Sequence, residues 1–201
     1  MIPREVLTTD THPVATYRDK RSGYVVKRLS FLAGPALVTS MIWPAATAPS
    51  AVLNVPVAAR IISFVQPSPV GLVPIGIVYQ PGNAASEAEA SDMERMLSGG
   101  FTLGRATLRT RRVAVTNLSQ LTGTKAAFVT TGLRTHQDEV AAAASAQSIL
   151  TITADAGCVV AGRCIVGISG ASKTQIIVNK AAARRSGIRF GSAFLMLVKE
   201  I

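Results

Sequence analysis

Apolar residues change their spacing from one stretch of this chain to the next, and the changes mark its elements. In LNVPVAARIISFV (53–65), Val57, Ile61, Phe64 and Val65 recur at helical spacing, which predicts a helix stopping before Pro67-Ser68-Pro69. LVPIGIVYQ (72–80) is instead a continuous apolar run with β-branched residues, the pattern of a strand buried on both faces. Pro81-Gly82-Asn83 turns it into a second helix, where Ser86 and Glu89 have capping-box spacing. That helix carries Met93, Met96 and Leu97, and Gly99-Gly100 ends it. RRVAVTNL (111–118) and KAAFVTTGL (125–133) read as further strands. Thr135 and Asp138 repeat the capping-box spacing ahead of an alanine-rich helix through Gln147. SILTITAD (148–155), RCIVGIS (163–169) and TQIIVN (174–179) are predicted strands, and the rest closes as a helix or two short helices broken near Gly187 and Gly191.

Strands separated by helices predict an α/β fold: a single domain whose mixed sheet of about six strands carries helices on its faces. The last two strands form a C-terminal β-hairpin, followed by helix.

The first quarter of the chain has a different character. Lys27 and Arg28 precede an apolar run from Leu29 to Trp43, and the small-residue triplet Ala46-Thr47-Ala48 follows. That order is the pattern of a secretory signal peptide, with cleavage expected between Ala48 and Pro49. A core helix or a membrane span fits less well, because the run falls short of the roughly 20 residues that cross a bilayer and Pro35 and Pro44 punctuate it. Residues 1–24 are polar and lack apolar periodicity, so they read as a non-native or disordered extension. The predicted organisation is an extension over 1–24, a signal peptide over 25–48 and an α/β domain over 49–201.

Charge narrows the function less than it first suggests. The chain has 21 Lys+Arg against 11 Asp+Glu, a formal net +10. The densest basic group is RATLRTRR, with Arg105, Arg109, Arg111 and Arg112. It could meet an anionic surface. An exported protein rarely meets nucleic acid, however, and charged residues on a strand edge also discourage sheet-to-sheet aggregation. The expectation is no nucleic-acid partner.

Catalytic chemistry finds little support. VGISGASKTQ (166–175) nearly matches the phosphate-binding pattern G-x-x-x-x-G-K-[ST], with Gly167, Lys173 and Thr174 in register and Ser172 at the second glycine. A phosphate loop must lead from a strand into a helix, so that backbone N–H groups and the helix dipole meet the phosphate. Here Thr174 leads into an alternating, β-branched stretch, which makes the loop a hairpin turn. His136 is the only histidine after Ala48, and it lies in the first turn of a predicted helix. A hydrolase would have to use it. Asp138 and Glu139 are adjacent and point about 100° apart on a helix, and negative charge at a helix N-terminus explains them. No cofactor, metal or enzymatic activity is expected.

The two cysteines, Cys158 and Cys164, both lie in the exported part, where the pattern puts them at the end of one strand and the start of the next. In an oxidising compartment that arrangement favours a disulfide closing the loop, although two small buried thiols that never meet would also fit.

From Ser148 to Ile201 the chain resembles the closing segment of the YfiR/HmsC-like family of periplasmic proteins. The resemblance rests on Ile149-Leu150-Thr151-Ile152, Gly157, Gly162, Ile165, Val178-Asn179, Ala181-Ala182, Gly187-Ile188, Ser192 and Leu195 to Leu197. It extends loosely upstream, where VPVAARIISFVQP is similar to the family's opening helix. Gln66 stands where that helix usually ends in Trp, Gly191 replaces the first of two paired serines, and Arg163 replaces a loop glycine. The resemblance implies a periplasmic regulator that binds and represses the sensor domain of an inner-membrane diguanylate cyclase, lowering cyclic-di-GMP and biofilm formation. It also implies relief by an outer-membrane lipoprotein that sequesters the repressor, with a homodimer as a further expectation and thiol redox state as an input. The alternative is a periplasmic small-molecule binding module, which would use the crevice beyond the carboxyl ends of the parallel strands.

Overall fold

Residues 52–170 and 173–201 are described by a computed structural model of the chain. The extension, the signal-peptide stretch, Ala48 and Pro49, and Ser172 of the hairpin lie outside the described residues.

The strand that reads as an unbroken apolar run is the centre of the sheet. β1 (Gly71–Tyr79) pairs in parallel with β3 (Ala106–Ala114) on one side and with β4 (Ala126–Val129) on the other. Beyond β4 lie β5 (Leu150–Thr153) and β6 (Val166–Ser169), both parallel to it. The antiparallel β7 (Gln175–Val178) follows β6, and β8 (Lys199–Glu200) forms the far edge. On the opposite edge β2 (Phe101–Leu103) runs antiparallel to β3, giving the order β2-β3-β1-β4-β5-β6-β7-β8.

Alternate side chains of β1 explain why its sequence shows no polar face. Val73, Ile75 and Ile77 join one core, while Val78 joins the other. The first core is covered by α1 (Val55–Ile62), α2 (Ala84–Leu97), α5 (Lys180–Arg185) and α6 (Ser192–Leu195). The second is covered by α3 (Gln137–Ala146), α4 (Ala156–Val160) and a 3₁₀ segment, Val115–Leu121. Gly76 is required on that second face, because a Cβ there would stand 2.7 Å from Leu121 Cδ2. The result is the expected three-layer α/β arrangement.

Several local expectations change. The sheet has eight strands rather than about six, because the two edge strands, of three and two residues, are too short to leave a periodic signal. The strand expected over 111–118 starts earlier, at Ala106, and ends at Ala114, after which the chain tightens into the 3₁₀ segment. Asn83, not Ser86, caps α2: its side chain accepts the Ser86 N–H at 3.1 Å, while Ser86 itself is buried within the helix. The Thr135–Asp138 capping box does not form, since residues 134–136 make a 3₁₀ turn and His136 occupies the cap position of α3 without a side-chain bond. Cys158 lies within α4, not at a strand end. The stretch carrying Lys173 joins antiparallel β6 and β7, as a hairpin requires.

Candidate functional site

The carboxyl end of the sheet is where an α/β fold offers a crevice, at the point where connections leave in opposite directions. Here the chain leaves β1 towards β3 and leaves β4 towards β5, so the crevice falls between β1 and β4. Its floor is made by the protein's own hydroxyls. Thr130 Oγ1 donates to Val78 O at 3.0 Å, which uses its single hydrogen, so the 2.7 Å contact between Ser86 and Thr130 is donated by Ser86. Ser86 Oγ in turn accepts the Gln80 N–H at 2.9 Å. Every hydrogen of this buried pair is committed.

Beside it, Glu89 Oε2 accepts from the Thr131 N–H at 2.7 Å and from its hydroxyl at 2.8 Å, whereas Oε1 is buried with no partner among the described residues. Burial pushes the Glu89 carboxyl up from its ordinary value, and the Thr131 hydroxyl and backbone N–H oppose that shift. Further along, Asp155 closes the end of β5. One of its oxygens caps α4 by accepting the Gly157 and Cys158 N–H groups, and the other accepts from buried Gln137 at 2.9 Å. The arrangement holds loops and helix ends in place.

The cysteines are joined: Cys158 and Cys164 form a disulfide with an S–S distance of 2.02 Å. It pins the middle of α4 to the loop just before β6. Gly162, at φ 72°, makes the turn between them, and its carbonyl accepts from Arg185 at 2.7 Å. Asn179 ties the same loop from the other side, donating to Val159 O at 2.9 Å while its Oδ1 caps α5.

His136 does not assemble a triad. Its Nδ1 lies 3.3 Å from Glu139 Oε2, one turn along the same helix. Asp138 faces away and accepts from Arg163 Nε at 2.6 Å. Among the described residues no group of three His, Cys, Asp or Glu side chains could hold a metal ion, and no helix is long and apolar enough to cross a membrane.

An apolar groove lies at the other end of the sheet. With a volume of about 400 Å³, it runs past the amino ends of β1, β4 and β5, lined by Ile62, Val65, Pro67, Val70, Leu72 and Ile188, with Lys125 and Ser148 also on its wall. Val70 and Leu72 are 58% and 70% exposed there. The periodicity of the sequence did not single out this groove, because its walls come from four separated stretches that only the fold brings together. The hydroxyl network was equally hidden, since serine and threonine in a strand-to-helix loop carry no periodic signal.

A mixed sheet with this order and helices on both faces is a three-layer α/β fold. The chain belongs to the YfiR/HmsC-like family, whose model matches residues 81–199. No curated protein matches it significantly. Among solved structures it resembles a conserved domain protein from Vibrio cholerae O1 biovar El Tor, with 14% identity and a TM-score of 0.55. A ligand-free, open substrate-binding protein with adhesive properties from Clostridium difficile has 15% identity and a TM-score of 0.53. An ABC domain from Streptococcus pneumonia in complex with L-Trp has 11% identity and a TM-score of 0.52. Each alignment covers 73% of this chain and 58% of the other, so the chain spans less than two thirds of these structures. At such identities the likeness is one of fold.

Proposed function

We propose that this chain is an exported periplasmic regulator that binds and represses the periplasmic sensor domain of an inner-membrane diguanylate cyclase, lowering cyclic-di-GMP and biofilm formation. Membership of the YfiR/HmsC-like family carries the reading. The arrangement of groups is compatible with it, because Ser86, Thr130, Gln137 and Asp155 at the carboxyl end of the sheet bond one another and the backbone, and so position loops. The exposed Val70 and Leu72 in the amino-end groove supply apolar area of the kind a protein partner covers. Export would remove residues 1–48, and the role needs no cofactor or nucleic acid. Relief by an outer-membrane lipoprotein belongs to the same reading.

Deleting the gene should raise cellular cyclic-di-GMP and biofilm, and restoring the wild-type chain should reverse both. Leu72→Asp, with an unchanged circular dichroism spectrum, should fail to restore them. Cyclic-di-GMP unmoved by the deletion would reject the regulator. A small-molecule binding module is the second reading, favoured by the fold shared with a substrate-binding protein and with a domain holding L-Trp. Its ligand would sit not in the crevice expected beyond the carboxyl ends of the strands but in the amino-end groove, which is within the roughly 300–1,000 Å³ typical of ligand pockets. A rise in melting temperature on adding L-Trp, lost in the Leu72→Asp variant, would promote it.

A further inference from the structure

β3 has nine residues but its outer neighbour β2 has three, and β2 covers only Ala106, Thr107 and Leu108. From Arg109 to Ala114 no strand among the described residues pairs with the outer side of β3, although β1 pairs with its inner side throughout. That open stretch is also the most basic part of the chain. Arg105, Arg109 and Arg111 are exposed, and Arg112 is half-buried with its guanidinium 4.4 Å from the centre of the Tyr79 ring. None of the four is in an ion pair among the described residues, and Arg111 donates instead to the Thr122 carbonyl at 2.5 Å.

Alternation fixes which way these charges face. Leu108 packs into the core under α2, so Thr110 and Arg112 share that face. Val113 packs into the opposite core, so Arg109 and Arg111 share its face, about 6.6 Å apart along the strand. One arginine would protect an edge from aggregation. Two at alternate positions, left unneutralised beside unpaired backbone, match a ligand that has both a backbone and carboxylates at that spacing.

We propose that the Arg109–Ala114 edge is a docking site for an extended acidic segment of a partner protein, which adds a strand beside β3 in line with β2. The outward-facing backbone N–H and C=O groups within residues 109–114 pair with the incoming strand, and carboxylates at alternate positions of that strand meet Arg109 and Arg111. The recognised chemistry is a short β-strand with Asp or Glu at every second residue. Only the identity of the partner rests on the regulator reading.

The test uses a fluorescein-labelled decapeptide in which Asp and Glu alternate with Thr and Val, titrated against the full chain and followed by anisotropy. Binding should weaken roughly tenfold or more in the Arg109→Ala/Arg111→Ala variant, and much less in Arg109→Lys/Arg111→Lys. Both variants must keep the wild-type circular dichroism spectrum and melting temperature. Backbone N-methylation of the peptide should abolish binding, and amide hydrogen exchange over residues 109–114 should slow when the peptide is bound. Equal affinity for a peptide of the same composition with adjacent carboxylates, for heparin or for phosphatidylglycerol vesicles would reduce the site to diffuse attraction and overturn the proposal. So would binding that survives N-methylation, or no binding at all. Because the peptide titration involves no cyclase, its failure is separable from an unchanged cyclic-di-GMP level in the deletion strain.

Discussion

Glu89 is held on the side of α2 that faces the end of β4, where burial favours the protonated carboxyl and the two Thr131 hydrogen bonds favour the charged one. Burial wins, so the folded state holds this proton more tightly than the unfolded chain does. The associated stability is fully present below the ordinary value of 4.5 and is lost as the pH rises through the raised folded value. Glu89→Gln, which cannot ionise, should therefore flatten the decline of unfolding free energy with rising pH above about 4.5. Urea titrations at several pH values read this directly, and an unchanged slope would show that Glu89 does not titrate as described. Lys173 offers the opposite case. It is exposed between β6 and β7 and enters no ion pair among the described residues, so Lys173→Ala should change stability by no more than about 0.5 kcal/mol. It should leave no nucleotide-dependent behaviour, and micromolar ATP binding lost in this variant would overturn the hairpin reading.

At the scale of elements, the long periodic or fully apolar segments were legible and the short ones were not. β1 announced itself because both its faces are buried, and α2 because of Met93 and Leu97, which lie on its inner side, although Met96, read with them, is exposed. α4 was hidden: five residues around Cys158 carry too little pattern, and they are helical because Asp155 caps them and the disulfide anchors their middle. The Ser86–Glu89 spacing misled for a physical reason, since Asn83 already supplies the cap and both side chains turn to β4 instead. Of the candidate site, the cysteine pair was readable from its spacing, whereas the groove and the hydroxyl network depend on contacts between distant stretches. The disulfide carries its own expected outcome. Replacing Cys158 or Cys164 by Ser should cost about 2 kcal/mol through loss of loop closure, and the double variant should match either single one. Thermal unfolding measures the cost, and a double variant much worse than the singles would mean that the thiols matter beyond their bond.

The whole molecule adds export and assembly. The chain carries the basic-apolar-small pattern over residues 25–48, so protein recovered from the periplasm should start at Pro49 or close to it. N-terminal sequencing checks this, and Met1 on cytosolic protein would end the export reading. The sheet order then has a consequence for how the chain assembles. From β4 to β7 each strand lies beside the next one in the sequence, so this half can zip up as it appears, closing one short loop after another. β1 has no such neighbour: it pairs with β3 and β4, both made later, with α2 and the whole of β2 intervening on one side. Its apolar run must wait, unpaired, until residues as far as Ala114 are present, and is flanked on both sides only once Val129 is. The interval in which Val73, Ile75 and Ile77 lack partners is thus the one in which a newly delivered chain is most open to aggregation and most in need of a chaperone.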